Sequence, residues 1–170
     1  MAVAPSLPGD AAGAASQDAM QDALAIYLYA LGLVADGAPL PFRAAAFAPL
    51  PAAAGGSAGQ AVAELGAVLQ AAADEQRLRP MIRAADAPVQ ALVATLLARR
   101  REGEAYRLVL LRIGEGHALL AAAARGPLRR RPRETARAIR EAEDALRRAA
   151  AALPPARPGN GAIIAATVQP

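Results

Sequence analysis

A single histidine, His117, stands in a chain of 170 residues that has no cysteine. An imidazole can act as a general base, a proton relay or a metal ligand, and each role needs partners. Zinc would have to draw every other ligand from carboxylates. A general base would need an orienting acceptor, and the nearest acid in sequence, Glu115, lies on a different face of a helix. His117 is therefore expected to be partly exposed or bonded locally. Hydroxyl nucleophiles are scarce, because the serines are Ser6, Ser16 and Ser57 alone. Ser16 and Ser57 both read as helix N-caps, the latter in a capping box with Gln60. No Glu-x-x-His pattern occurs, and Gly114-Glu115-Gly116 lacks the third glycine and the lysine of a phosphate-binding loop. The expected inventory is no catalytic residue, no cofactor and no metal.

Arginine is the richer signal. All 19 basic residues are arginine. A base composition favouring Ala, Arg, Gly and Pro codons explains this most simply, and selection for planar, bidentate anion contacts is the functional alternative. Arg99, Arg100 and Arg101 fall at the C-terminal end of an expected helix, where cations complement the helix dipole. Glu102 and Glu104 lie among them and Arg107, so ion pairing accounts for these acids. Arg129, Arg130, Arg131 and Arg133 instead precede a helix N-terminus, with Arg137 and Arg140 one and two turns on. Clustered guanidinium groups at such an end form an anion site on physical grounds. With three Tyr, two Phe and no Trp, the chain offers little base stacking, so nucleic-acid binding would rest on phosphate contacts.

The charge is unevenly spread. Residues 1–76 carry a net −6 and residues 77–170 a net +10. The halves can attract each other within one molecule or between copies, or the basic half can face an acidic partner.

The elements that would position these groups are helices. Alanine supplies 50 residues, whereas Leu, Val, Ile and Phe together supply 37. Alanine favours helix but buries little area, so the core must be thin and closely packed. Met20, Leu24, Tyr27, Leu28, Leu31 and Val34 recur at helical spacing, with Ile26, Tyr29 and Leu33 on the other side, and Gly37 is a stop signal. Residues 37–56 hold four prolines and read as a linker without regular structure. Val62, Leu65, Val68, Leu69 and Ala72 form the next stripe. Asp86 reads as a cap for a helix bearing Val89, Leu92, Val93, Leu96 and Leu97. Residues 104–124 read as a helix with Tyr106, Val109, Leu110, Ile113, His117 and Leu120 on one face, kinked at Gly114 and Gly116. The alternative for the same residues is a β-hairpin, disfavoured by the alanine run 121–124. Last, Ile139, Leu146 and Leu153 repeat every seven residues and form a narrow coiled-coil-like seam.

The expected fold is all-α, a small bundle of four to five helices, with an α+β arrangement containing a hairpin at 104–124 as the alternative. One helical domain spans 16–153, after a flexible segment 1–15 and before a tail 154–170. The longest strongly apolar stretch, 23–35, is short of the roughly 20 residues needed to cross a bilayer. No transmembrane segment is expected, and the location is expected to be cytoplasmic. Thin core, heptad seam and missing catalytic groups together point to a non-enzymatic adaptor or assembly subunit, its partner another protein or a second copy. The alternative is anion or nucleic-acid binding through the Arg-rich segment 125–148.

Overall fold

Among the described residues the chain folds into four long helices and two short ones. The computed structural model describes residues 8–99 and 103–126, together with Arg148. In chain order the helices are α1 (Pro8–Ala35), α2 (Ala44–Phe47), α3 (Pro49–Ala54), α4 (Gly56–Glu75), α5 (Leu78–Ala98) and α6 (Glu104–Arg125). Among the described residues there is no strand, so the all-α reading holds and the hairpin alternative fails. Gly114 and Gly116 lie inside α6 and are buried there. A Cβ at Gly114 would come 3.3 Å from Val93 Cγ1. Its bare backbone lets α5 and α6 approach closely, which explains glycines in a helix that propensity alone would penalise.

The core forms where the aliphatic stripes meet. Met20, Leu24, Tyr27, Leu28, Leu31 and Val34 of α1 are buried, as are Val62, Leu65, Val68, Leu69 and Ala72 of α4. Val89, Leu92, Val93 and Leu96 of α5 and Leu110, Ile113 and Leu120 of α6 complete the same cluster. Burying each large aliphatic side chain contributes about 1.5–3 kcal/mol, and alanines between them let the backbones close up. α5 is central, packing against α1, α4 and α6. Its partners on α6 run backwards, from Arg83 with Ala124 to Gln90 with Gly114, so the two helices are antiparallel. The pairs Gln21–Tyr106 and Tyr27–His117 rise together, making α1 parallel to α6.

Local signals placed several boundaries wrongly. α1 begins at Pro8, so residues 8–15 of the segment expected to fray are helical and Ser16 lies inside the helix instead of capping it. α4 begins at Gly56 with no side-chain cap, so Ser57 and Gln60 form no capping box. Asp86 sits in the middle of α5. Residues 44–54, expected to lack regular structure, form α2 and α3. These short helices are held by contact more than by propensity. Phe47 is buried against α4, where a Cβ at Gly66 would meet its ring at 2.8 Å. At Gly59 a Cβ would stand 2.5 Å from the Pro51 carbonyl oxygen.

Two helix ends are closed by specific bonds. After α1, Gly37 N–H donates to Val34 O and Ala38 N–H to Leu33 O, with Gly37 at φ 69°, the Schellman arrangement that favours glycine. After α4, Gln76 takes a left-handed φ of 54°. Its side-chain amide donates to Ala38 O and accepts from Leu40 N, each at 2.9 Å, tying the α1 exit to the α4 exit.

Among the described residues, α5 is the helix long and apolar enough to cross a membrane by length and composition alone. In this fold its apolar face is spent on the bundle core, and Arg79, Arg83 and Asp86 lie along it.

Candidate functional site

Three helices each carry a polar group on a largely apolar stripe, and the packing brings the three together. Tyr27 comes from α1, Asp86 from α5 and His117 from α6. Tyr27 and His117 are both fully buried. Tyr27 Oη lies 2.7 Å from His117 Nε2, and His117 Nδ1 lies 3.1 Å from Asp86 Oδ1. Arg125, in the last turn of α6, donates from Nη2 to Asp86 Oδ2 at 2.6 Å. The phenol and imidazole rings also meet, with centroids 5.5 Å apart.

The electrostatics favour one set of proton positions. Burial, then the charge of Asp86, pushes the Tyr27 hydroxyl far above its ordinary range, so it remains a donor. Burial pulls His117 below the usual imidazole value, against the opposing pull of Asp86, so the ring is neutral near pH 7. Burial pushes the Asp86 carboxyl up, but hydrogen bonds from Arg125 and His117 outweigh that and hold it below the usual carboxylate value. One assignment satisfies all four groups. Tyr27 O–H donates to Nε2, Nδ1–H donates to Asp86, and Arg125 closes the far side of the carboxylate.

His117 is thus neither partly exposed nor locally bonded, contrary to expectation. Its partners lie 90 and 31 residues away in sequence, and Glu115 is exposed and takes no part. The order hydroxyl, imidazole, carboxylate is the order of a nucleophile, a base and an orienting acid. Here the hydroxyl is held protonated and both rings are buried, and the chain of bonds ties three helices together. A cavity of about 240 Å³ between α4 and α5 is lined by Val68, Ala72, Met81 and Ala84, with Glu75 and Arg77 at its edge. It includes none of the four network residues. Among the described residues no group of three or more His, Asp or Glu is placed to hold a metal.

A second polar cluster joins the chain ends of α1, α3 and α5. Arg99 donates to Gly13 O at 2.8 Å and to Ser16 Oγ at 2.9 Å, and Ser16 donates to Ala54 O at 2.6 Å. Arg99 therefore serves α1 as well as terminating its own helix. Arg83 forks onto Ala124 O at 2.8 and 2.6 Å, satisfying a carbonyl that the end of α6 would leave free. Of the arginines in 125–148, Arg125 is committed to Asp86 and Arg148 is an exposed helical residue. Arg129, Arg130, Arg131, Arg133, Arg137 and Arg140 lie outside the described residues, as do Ile139, Leu146 and Leu153 of the heptad seam.

The outer side of α6 carries two of the three large exposed apolar side chains among the described residues, the third being Tyr29 of α1. Leu108 is 49% exposed and Leu119 is 67% exposed. Eleven residues apart, they fall on one line along the helix. Ala105, Arg112, Glu115 and Ala122 share that exposed stripe. The sequence held this signal, since the buried face Leu110, Ile113, His117 and Leu120 leaves both leucines on the opposite side. Comparison with family models, with curated proteins and with solved structures returns no match.

Proposed function

We propose that this chain is a non-enzymatic protein-interaction subunit, an adaptor or assembly component, whose contact surface is the outer face of α6. One observation carries the reading: Leu108 and Leu119 stand in water on a single stripe, while the groups capable of acid–base work are locked inside the bundle. Large aliphatic side chains aligned on one exposed face mark an interaction surface, whereas scattered ones do not. The thin, alanine-rich core points the same way, because a helical surface of this kind gains its remaining burial from a partner.

The test compares the intact chain with a Leu108→Arg/Leu119→Arg double variant, both immobilised and exposed to the same native extract. Proteins retained by the intact chain and lost with the variant support the reading. A strict monomer that retains the same proteins with or without the two leucines overturns it.

The charge excess in 77–170 favours a second reading, anion or nucleic-acid binding through the Arg-rich segment 125–148. Filter binding of DNA and RNA against salt separates the two. Phosphate binding must weaken steeply as salt rises, and no retention at low salt eliminates it.

A further inference from the structure

The exposed stripe of α6 is nearly its own complement when reversed. Reading along it in steps of three and four, the residues are Ala105, Leu108, Arg112, Glu115, Leu119 and Ala122, all exposed, with exposed Glu104 beside Ala105 at its start. The separations are three, four, three, four and three, the same in both directions. A point midway between Arg112 and Glu115 relates Ala105 to Ala122, Leu108 to Leu119, and a cation to an anion. Among the described residues neither Arg112 nor Glu115 has a side-chain partner, although both charges sit at the centre of the apolar stripe.

We propose that α6 pairs antiparallel with α6 of a second copy of this chain about a two-fold axis, forming a homodimer. The proposal rests on the interaction reading above and names its partner. A two-fold axis brings each patch onto itself, so a face that is complementary to itself on reversal is what such an interface requires. In that pairing Leu108 of one copy meets Leu119 of the other, twice. Arg112 comes level with the partner copy's acid at position 115, again twice, so the four central charges sum to zero. A parallel pairing would set leucine beside leucine but stack Arg112 on its own counterpart and Glu115 on its own, placing like charges together. The charge order therefore selects the antiparallel arrangement.

The test is sedimentation velocity on the full chain across a concentration series. The expected result is a reversible monomer–dimer equilibrium. Leu119→Arg should raise the dimer Kd by about 30-fold or more, because the loss is felt at two symmetric contacts. Arg112→Glu alone and Glu115→Arg alone each place four like charges at the centre, and each should raise Kd by about 10-fold or more. The combined Arg112→Glu/Glu115→Arg variant restores neutrality and should return Kd to within about 3-fold of the parent. Circular dichroism at a concentration where all forms are monomeric verifies that the variants fold. Geometry is read separately with introduced thiols, the chain having none of its own. Leu108→Cys mixed with Leu119→Cys should oxidise to a linked dimer. Each variant alone should not, because like positions would lie about 16 Å apart along the helix.

A parent chain that stays monomeric at every concentration overturns the proposal, as does a dimer indifferent to all these substitutions or one cross-linked by each thiol variant alone. These failures are distinct from failure of the interaction reading. A monomer that still loses a protein partner when Leu108 and Leu119 are changed keeps that reading and discards self-pairing.

Discussion

Replacing Tyr27 by Phe isolates one bond in the buried network. The ring keeps its volume and its contacts, so no cavity is created; what goes is the hydroxyl 2.7 Å from His117 Nε2. That nitrogen is shielded from solvent. Leaving a buried acceptor unsatisfied costs about 1–3 kcal/mol. For a chain of this size each kcal/mol shifts Tm by about 2–4 °C, so the expected fall is about 2–12 °C. Thermal and urea unfolding followed by far-UV circular dichroism measures both, with an unchanged m value showing that the denatured state is not the cause. His117→Leu strands the other partner, the Tyr27 hydroxyl. In the double variant both polar atoms are gone and the two penalties largely cancel, giving a coupling of about 1–3 kcal/mol. Asp86 keeps Arg125 in every arm of the cycle. Single-variant losses that add to within about 0.5 kcal/mol would refute the network, and so would a Tyr27→Phe chain as stable as the parent.

The same groups set the acid response. His117 is held neutral in the fold, so below about pH 6.5 the unfolded chain takes up a proton that the native chain refuses, and stability falls as pH drops. Asp86, held below its ordinary value, adds a second loss only below about pH 4. Tm across pH 8 to 3 should show both steps, and His117→Leu should remove the upper one and shrink the lower, since His117 is one of the two groups that hold Asp86 down. Three helical glycines should respond to Ala in the order of their clearance, measured as urea midpoints. Gly114→Ala, whose Cβ would stand 3.3 Å from the Val93 methyl group at the α5–α6 contact, should lose least, because up to about 1 kcal/mol of helix propensity offsets the displacement of that side chain. Gly66→Ala should lose about 1–3 kcal/mol as the Phe47 ring shifts, and Gly59→Ala should lose most, since it meets backbone. At Gln76, Gly and Ala both forfeit the amide bonds to Ala38 and Leu40, but only Gly relaxes the left-handed backbone. Gln76→Gly should be the more stable of the two by about 1 kcal/mol in the same assay.

The helical stripes were legible because large aliphatic side chains repeat every three to four residues, a pattern that survives any arrangement of neighbours. Leu65, Leu69, Leu92 and Leu96 needed nothing beyond it. The buried network was not legible from His117 outward, because its acid and its hydroxyl are set by how three helices register, not by spacing along one. A clue was present: Tyr27, Asp86 and His117 each interrupt an apolar stripe, and a polar group on a buried face must find another. Cap motifs misled for the opposite reason. Ser16 and Ser57 match a local pattern, but α1 and α4 start earlier, at Pro8 and Gly56. In the proline-rich stretch, Phe47 and Pro51 dock on glycines of α4, a tertiary contact that composition does not encode.

The bond between Tyr27 and His117 spans 90 residues. Arg99 reaches back 86 residues to Gly13. At a synthesis rate of about 5–20 residues per second, α1 waits roughly 5–20 seconds beyond its own emergence from the ribosome before its final partner is made. Through that interval the greasy side of α1, with Met20, Leu24 and Leu31, has only α3, α4 and then α5 to lie against. Nascent chains halted between residues 35 and 99 are therefore the forms that chaperones should grip hardest, and release should follow once α6 has cleared the exit tunnel.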